Sequence, residues 1–269
     1  MNYILSEIYI YPVKSLSGIS LQKSEVTERG LKYDRRWMLI DQNNMFITQR
    51  KYPKMALIKV DLENDLLIFT HKLNNELQFK IPIEIEDGKL KNVAIWDDYV
   101  TALHFSEEAD EWFSNVLNLK CKLVYMPDNV KRNVDKKYAT RNEIVSFADA
   151  FPFLIIGQES LNDLNSRLKE KLPMNRFRPN FVFTGGNAYD EDKWKSFKIG
   201  DVAFYPVKPC SRCVITTINH DTAEKSDEPL KTLSTYRAIN NKVMFGQNLL
   251  HEGEGIIRIN DELKILEWK

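Results

Sequence analysis

The shortages of this chain say more than its abundances. Of 269 residues only three are cysteine, Cys121, Cys210 and Cys213. That odd, sparse count is unlike a disulfide framework. The expectation is a reducing, cytoplasmic setting, in which a cysteine pair is more often chemical than structural. Net charge is missing as well, because 38 Lys and Arg balance 38 Asp and Glu. Such a chain exerts no global pull on nucleic acid or an anionic membrane, so any anion site must be local and no nucleic-acid partner is expected. No apolar run nears the roughly 20 residues that cross a bilayer. The longest, AFPFLIIG (Ala150–Gly157) and VAFYPV (Val202–Val207), have the length of buried strands. Glu7 interrupts the first apolar run and no basic start precedes it, so neither a signal peptide nor a membrane anchor is expected. No C-x4-C-x2-C run occurs, so no iron–sulfur cluster is expected.

What is present reads as an ordinary globular chain, 43% hydrophobic and 28% charged, long enough for one large domain or two modest ones with a real core. The first hundred residues are strand-rich. Tyr3–Tyr11, Arg35–Asp41, Met55–Leu62, Leu66–His71 and Tyr99–Phe105 have β-branched, aliphatic and aromatic content between Asn-, Asp- and Pro-bearing turns. Two helices follow. Glu107–Asn118 brings Trp112, Phe113 and Leu117 to one side, with acidic residues in its first turn where the helix dipole favours them. Glu159–Leu172 places Leu161, Leu164, Leu168 and Leu172 three or four apart, with Pro173 beyond its end. A second set of strands is predicted at Asn180–Phe183, Val202–Val207, Cys213–Ile218, Ile256–Asn260 and Leu263–Leu266, the last two joined as a hairpin at Asp261–Glu262. The polar stretch Met126–Asn142 is the candidate linker or surface loop. The fold class is therefore mostly β with a few helices, closely spaced strands favouring an antiparallel sheet or barrel, divided into residues 1–125 and 126–269.

The cysteine pair sits in PCSRCVITT (Pro209–Thr217). A redox C-x-x-C normally opens a helix, and the β-branched run after Cys213 predicts a strand instead, which disfavours a dithiol. Structural zinc needs two further ligands. His220 offers a third, and neither Cys121 nor the other histidines (His71, His104, His251) supply an evident fourth. On the pair alone, two small buried hydrophobes are the leading reading.

Basic residues elsewhere stand at strand ends. YPVKSLSG (Tyr11–Gly18) puts Lys14 and Ser15 after a strand, ordinary surface residues by default and also types that bind phosphate. Asp34, Arg35 and Arg36 lead into a strand, where an inward-facing arginine needs an anion and Asp34 is the local candidate. Arg176 and Arg178 repeat the pattern before Phe181, and Arg212 lies beside Cys213. Each has a surface ion-pair explanation. Together they suit an anionic, phosphorylated cofactor whose metal is held by one sulfur ligand.

The ordered set YPVKSLSG, GLKYDRRWMLID, RFRPNFVF, AYDEDKW, PCSRCVITTI and FGQNL resembles the MOSC-domain proteins with an N-terminal MOSC β-barrel domain. The similarity is greatest to the mitochondrial amidoxime-reducing component and its bacterial relatives. It covers nearly the whole chain, with residues 1–125 as the N-terminal domain and 126–269 as a barrel-like MOSC domain. The resemblance implies a molybdenum cofactor, a pterin dithiolene with Mo, bound through Lys14, Ser15, Arg35, Arg178, Asn180, Ser211 and Arg212. It makes Cys213 the metal ligand and catalytic residue, with Cys210 a neighbour. The chemistry suits those roles: arginine forks and lysine for phosphate and pterin, asparagine for a donor–acceptor edge, thiolate for a soft metal. Where relatives place a small hydroxyl pair, this chain has Ala150 and Phe151. The implied activity is reduction of small N-hydroxylated compounds (amidoximes, hydroxylamines, N-oxides) with electrons from an external donor. That donor is expected to be a cytochrome b5-like, ferredoxin-like or flavin reductase protein. The alternative is a cofactor carrier or sulfur-handling module. At the superfamily level the resemblance also admits an association with pyridoxal phosphate. Asp190, Glu191 and Asp192 of AYDEDKW read as a solvated loop, and no general acid is identified.

Overall fold

The computed structural model describes residues 2–269, and strand dominates it. Its centre is a closed seven-stranded barrel. Phe153–Gly157 pairs with Phe181–Thr184, which pairs with Tyr3–Ile10. The ring continues through Glu262–Trp268, Trp194–Ile199, Val202–Ser211 and Lys242–Glu252, then closes on Phe153–Gly157. Its interior is aromatic: Phe153, Phe181, Phe183, Trp194, Phe197 and Phe204 are all 1% exposed or less. Burying a side chain of this kind contributes about 1.5–3 kcal/mol. One parallel pair, Phe153–Gly157 with Phe181–Thr184, requires a crossover, and the Gln158–Arg167 helix supplies it. Closure brings backbones close at Gly246 (φ +80°), where a Cβ would meet the Ile155 carbonyl oxygen at 2.8 Å.

Two smaller sheets pack around a second core that includes Trp37, Phe69, Phe113 and Leu123. Trp37–Ile40, Lys122–Tyr125, Asp98–His104 and Lys89–Ile95 make one sheet, and Ile58–Glu63, Leu66–His71 and Asn74–Pro82 another. The Glu107–Leu117 helix begins where Ser106 Oγ accepts the Ala109 N–H at 3.1 Å and ends at left-handed Asn118. Strands cross between the halves of the sequence. Tyr3–Ile10 lies within the barrel, and Lys23–Thr27 pairs with Gly255–Arg258.

Several sequence expectations are corrected. Cys213–Ile218 is not a strand: Val214–Thr217 forms a 3-10 turn, and the strand lies before it, at Val202–Ser211. Thr216 and Thr217 donate their hydroxyls to the Cys213 and Val214 carbonyls at 3.0 and 2.9 Å, closing a turn that the β-branched run does not announce. The second helix stops at Arg167, because Asn165 captures the returning chain through Leu172 N–H and C=O. No hairpin forms at Asp261. Ile256 pairs with Glu25 whereas Leu263 pairs with Tyr3, so the two strands belong to different sheets. The 126–142 stretch is the expected surface loop, and it is anchored to the fold. Arg132, 5% exposed, donates to Asp98 and to the Ser146, Ala148 and Asp149 carbonyls.

The AYDEDKW loop is also not solvated. Asp190 accepts from Tyr3 Oη and the Asn187 N–H, Asp192 from Arg237 and Gln247, and Glu191 is fully buried on the Ser160 hydroxyl at 2.8 and 2.9 Å. Burial pushes the Glu191 carboxyl up to about 7, against the opposing hydrogen bonds from Ser160 and backbone N–H groups. The folded chain therefore holds a proton there that the unfolded chain releases near pH 4.5. Stability should fall as pH rises from about 4.5 through 7. Melting curves across that window should show a declining midpoint in the wild type and a flatter one in Glu191→Gln; parallel curves would contradict the assignment.

Candidate functional site

All eight residues expected at the site line one cleft at the barrel end: Lys14, Ser15, Arg35, Arg178, Asn180, Ser211, Arg212 and Cys213. Each comes from a strand terminus or turn. Lys14 and Ser15 follow Tyr3–Ile10, Arg35 precedes Trp37–Ile40, and Arg178 caps the Met174–Phe177 turn. Ser211 ends the Val202–Ser211 strand, and Arg212 N–H still reaches the Val243 carbonyl at 2.8 Å. Ser15, Arg35 and Arg178 have left-handed backbones, with φ of 69°, 50° and 56°. Non-glycine residues adopt that region at a cost of about 1 kcal/mol or more, and such residues concentrate at functional sites.

Lys14 and Ser15 are buried, not surface residues. Lys14 Nζ donates to the Phe147 carbonyl at 2.7 Å and to Asp149 Oδ1 at 2.5 Å. Burial pushes this ammonium down to about 8, and the Asp149 carboxylate opposes the shift. Arg35 pairs with buried Asp34 at 2.5 Å. Arg35 and Arg178 both lie against the Tyr11 ring, 4.4 and 4.2 Å from its centroid. Burial lowers Arg178 to about 10, with no carboxylate paired to it. Asn180 lines the cleft, but its amide already serves the fold: Oδ1 accepts from Leu154 N–H and Arg35, and Nδ2 donates to the Tyr9 carbonyl.

The two cysteines differ in surroundings. Arg212 Nη1 donates to Cys210 Sγ at 2.9 Å, and Cys210 packs beside an apolar cluster containing Phe177 and Phe245. Cys213 Sγ instead lies 3.9 Å from Arg50 Nη1. Both cysteines are free thiols. Among the described residues no three His, Cys, Asp or Glu side chains gather as a metal site, and His220 does not line this cleft. A metal here could take a protein thiolate from Cys213 or Cys210, with its other ligands from a bound group.

Cys210 lines the cleft too, as do Arg50, Asp149 and Asn248, which were not expected from the sequence, although Asn248 lies in the FGQNL motif. Asp149 opposes burial through Lys14, Arg50 and the Trp96 indole N–H, which hold its carboxyl well below the usual range. Arg50 stacks on Trp96 at 4.4 Å. The lining thus carries five cations and one carboxylate, and the Arg212 Nε is buried without a hydrogen-bond partner in the described residues. Unmatched buried donors of this kind are strong reasons to expect an anionic ligand.

The N-terminal MOSC β-barrel domain family matches residues 2–120, and the MOSC domain family matches residues 142–264. Mitochondrial amidoxime-reducing component 1 of Mus musculus is 32% identical over 280 residues, covering 97% of this chain and 82% of the relative. This chain belongs to the MOSC-domain proteins with an N-terminal MOSC β-barrel domain. Within that family, mitochondrial amidoxime reducing component 2 of Homo sapiens is 34% identical over 242 residues, 87% of this chain and 72% of the relative. Molybdenum cofactor sulfurase of Arabidopsis thaliana is 34% identical over 275 residues, 93% of this chain, which spans only 33% of the sulfurase. These relatives together support a molybdenum-cofactor-related MOSC function. Pyridoxal phosphate finds no support in either family match, and Lys14, the one lysine of the cleft, has its Nζ engaged by Asp149 and the Phe147 carbonyl.

The structure makes Asp34 the permanent counter-ion of the cleft. Asp34→Ala would leave the Arg35 guanidinium and the Tyr11 N–H without their buried partner. A loss of about 3 kcal/mol is expected in urea unfolding. A change below 1 kcal/mol would contradict that role.

Proposed function

We propose that this chain is a molybdenum-cofactor-dependent reductase of N-hydroxylated compounds. The observation that supports it is the meeting, in one cleft, of five cations with two thiols, Cys210 and Cys213, of which Cys213 lies beyond the barrel strand with the Arg50 guanidinium beside it. The residues fit the cofactor. Lys14, Arg35, Arg178 and Arg212 would hold its phosphate and pterin by charge and forked hydrogen bonds, with Ser15 and Ser211 as hydroxyl partners. Cys213 would be the soft protein ligand to the metal. When bound, the cofactor supplies two-electron oxygen-atom chemistry that side chains lack. The net reaction consumes the N-hydroxy compound, two electrons and two protons, and yields the reduced nitrogen compound and water. The electrons would come from a separate cytochrome b5-like, ferredoxin-like or flavin reductase protein in a cytoplasmic setting.

The protein's own part is positional. Lys14, with its ammonium lowered to about 8, is still charged at neutral pH and is held in place by Asp149. Arg50 brings positive charge next to the sulfur, and Trp96 fixes both Arg50 and Asp149 from the rim. A cofactor carrier or sulfur-handling module is the second reading, favoured by the sulfurase relative.

Purified protein expressed with ample molybdate should carry molybdenum near one atom per chain, and Cys213→Ser should lose benzamidoxime reduction with a chemical reductant while staying folded. Cys210→Ser should retain most activity. Bound molybdenum without turnover would select the carrier reading. No molybdenum under those conditions would sink both.

A further inference from the structure

Behind the cleft lies a second, smaller chamber of about 60 Å³, lined by Tyr11, Leu16, Gln49, Ala56, Arg178 and His220 among others. Arg178 is the wall between the two spaces, since its side chain lines both. On its far side the chamber shares Lys72, Asn175 and His220 with a groove that opens to the surface.

This chamber is not an apolar void. Gln49 is 1% exposed, yet its Oε1 has no hydrogen-bond partner in the described residues. His220 Nε2 is also buried without a partner. Burial, with Arg178, Arg176 and Lys72 nearby, pushes His220 down to about 3, so the imidazole is neutral near pH 7 and one ring nitrogen can accept. Arg178 itself uses one donor, Nη1 to the Leu16 carbonyl at 2.6 Å. Two buried polar atoms, on residues that line the chamber together with Arg178, therefore lack direct partners beside a guanidinium with spare donors. An unsatisfied buried polar group is costly, and two in one small chamber are not tolerated without a reason. A water needs about 10–15 Å³ and two or more polar partners, and the chamber meets both conditions with room for more than one.

We propose that the chamber is a built hydration site, in which ordered waters bridge Gln49 Oε1 and His220 Nε2 to the rear of the Arg178 guanidinium and so fix that arginine for an anion in the cleft. Gln49 and His220 are then positioning residues, acting on the ligand only through Arg178. The left-handed backbone of Arg178 and its lack of a paired carboxylate explain why support from behind is needed. The surface groove gives the waters a route in. This inference rests on the anion-binding reading of the cleft and is independent of N–O reduction.

The sign of two substitutions tests it. In a dry chamber, Gln49→Leu removes an unsatisfied polar atom and Ala56→Val fills a void, so both would be neutral or stabilising. In a hydrated chamber both break the water network, and both should lower the melting temperature. A high-resolution crystal structure of the full chain should show density within hydrogen-bond reach of Gln49 Oε1 and Arg178. Titration with inorganic phosphate should show affinity weakened about threefold to tenfold in Gln49→Leu and in His220→Phe. An empty chamber, or both Gln49→Leu and Ala56→Val melting at or above wild type, overturns the proposal. Bound waters with unchanged phosphate affinity in both binding variants overturn the positioning role. If wild type binds no phosphate, the anion reading of the cleft fails, and density with melting then decides the chamber alone.

Discussion

Everything around the cleft depends on one buried carboxylate. Asp34 accepts the Tyr11 N–H at 2.7 Å and the Arg35 guanidinium at 2.5 Å while 3% exposed. Tyr11 in turn carries Arg35 and Arg178 against its ring and donates its hydroxyl to the Pro179 carbonyl at 3.0 Å. Turns from the N-terminal and C-terminal parts of the chain are thereby tied to a single anion. Two guanidiniums held this close repel each other in a low-dielectric setting. Asp34 neutralises one, and the ring quadrupole stabilises both. Arg178 is left without a compensating carboxylate, and its charge acts on the cleft.

The opposite wall uses a different kind of carboxylate. Asp149 joins Lys14, Arg50 and Trp96, but its side chain is 54% exposed where that of Asp34 is 2%. Water screens the outer pair and hardly reaches the inner one, so contacts of similar length differ in strength. The site is therefore rigid at its base and softer at its rim. Arg132 reinforces the rim from outside, because its hydrogen bonds to the Ser146, Ala148 and Asp149 carbonyls fix the backbone that presents Asp149.

The β-rich class, most strands and the cleft-lining residues were legible in the sequence, for two separate reasons. Strands such as Leu66–His71 declare themselves through β-branched and apolar content. The site residues became legible jointly, as cations at strand ends, and through their resemblance to a family. What was missed depends on contacts distant in sequence. Whether Glu191 is solvated or buried is decided by Ser160, thirty-one residues away. Arg50 gains a role only because Cys213 lies across the cleft from it. The turn at Val214–Thr217 is local, yet β-branching conceals it, since the same threonines that favour strands can bond back to their own backbone.

That turn alters the case against a dithiol. A following strand can no longer be its basis, because none follows Cys213. The surroundings of the two sulfurs replace it. Cys210 lies on the last part of a barrel strand, packs against an apolar cluster, and receives the Arg212 guanidinium. Cys213 lies beyond the strand, also on the cleft lining, with Arg50 Nη1 3.9 Å from its sulfur. A dithiol couple needs two similarly available sulfurs, whereas here both line the cleft but Cys210 is also engaged by Arg212 and packed against the apolar cluster. The two thiols thus stand unequally among the cations, and the barrel's longest strand pair, Val202–Ser211 with Lys242–Glu252, leads the chain to that position.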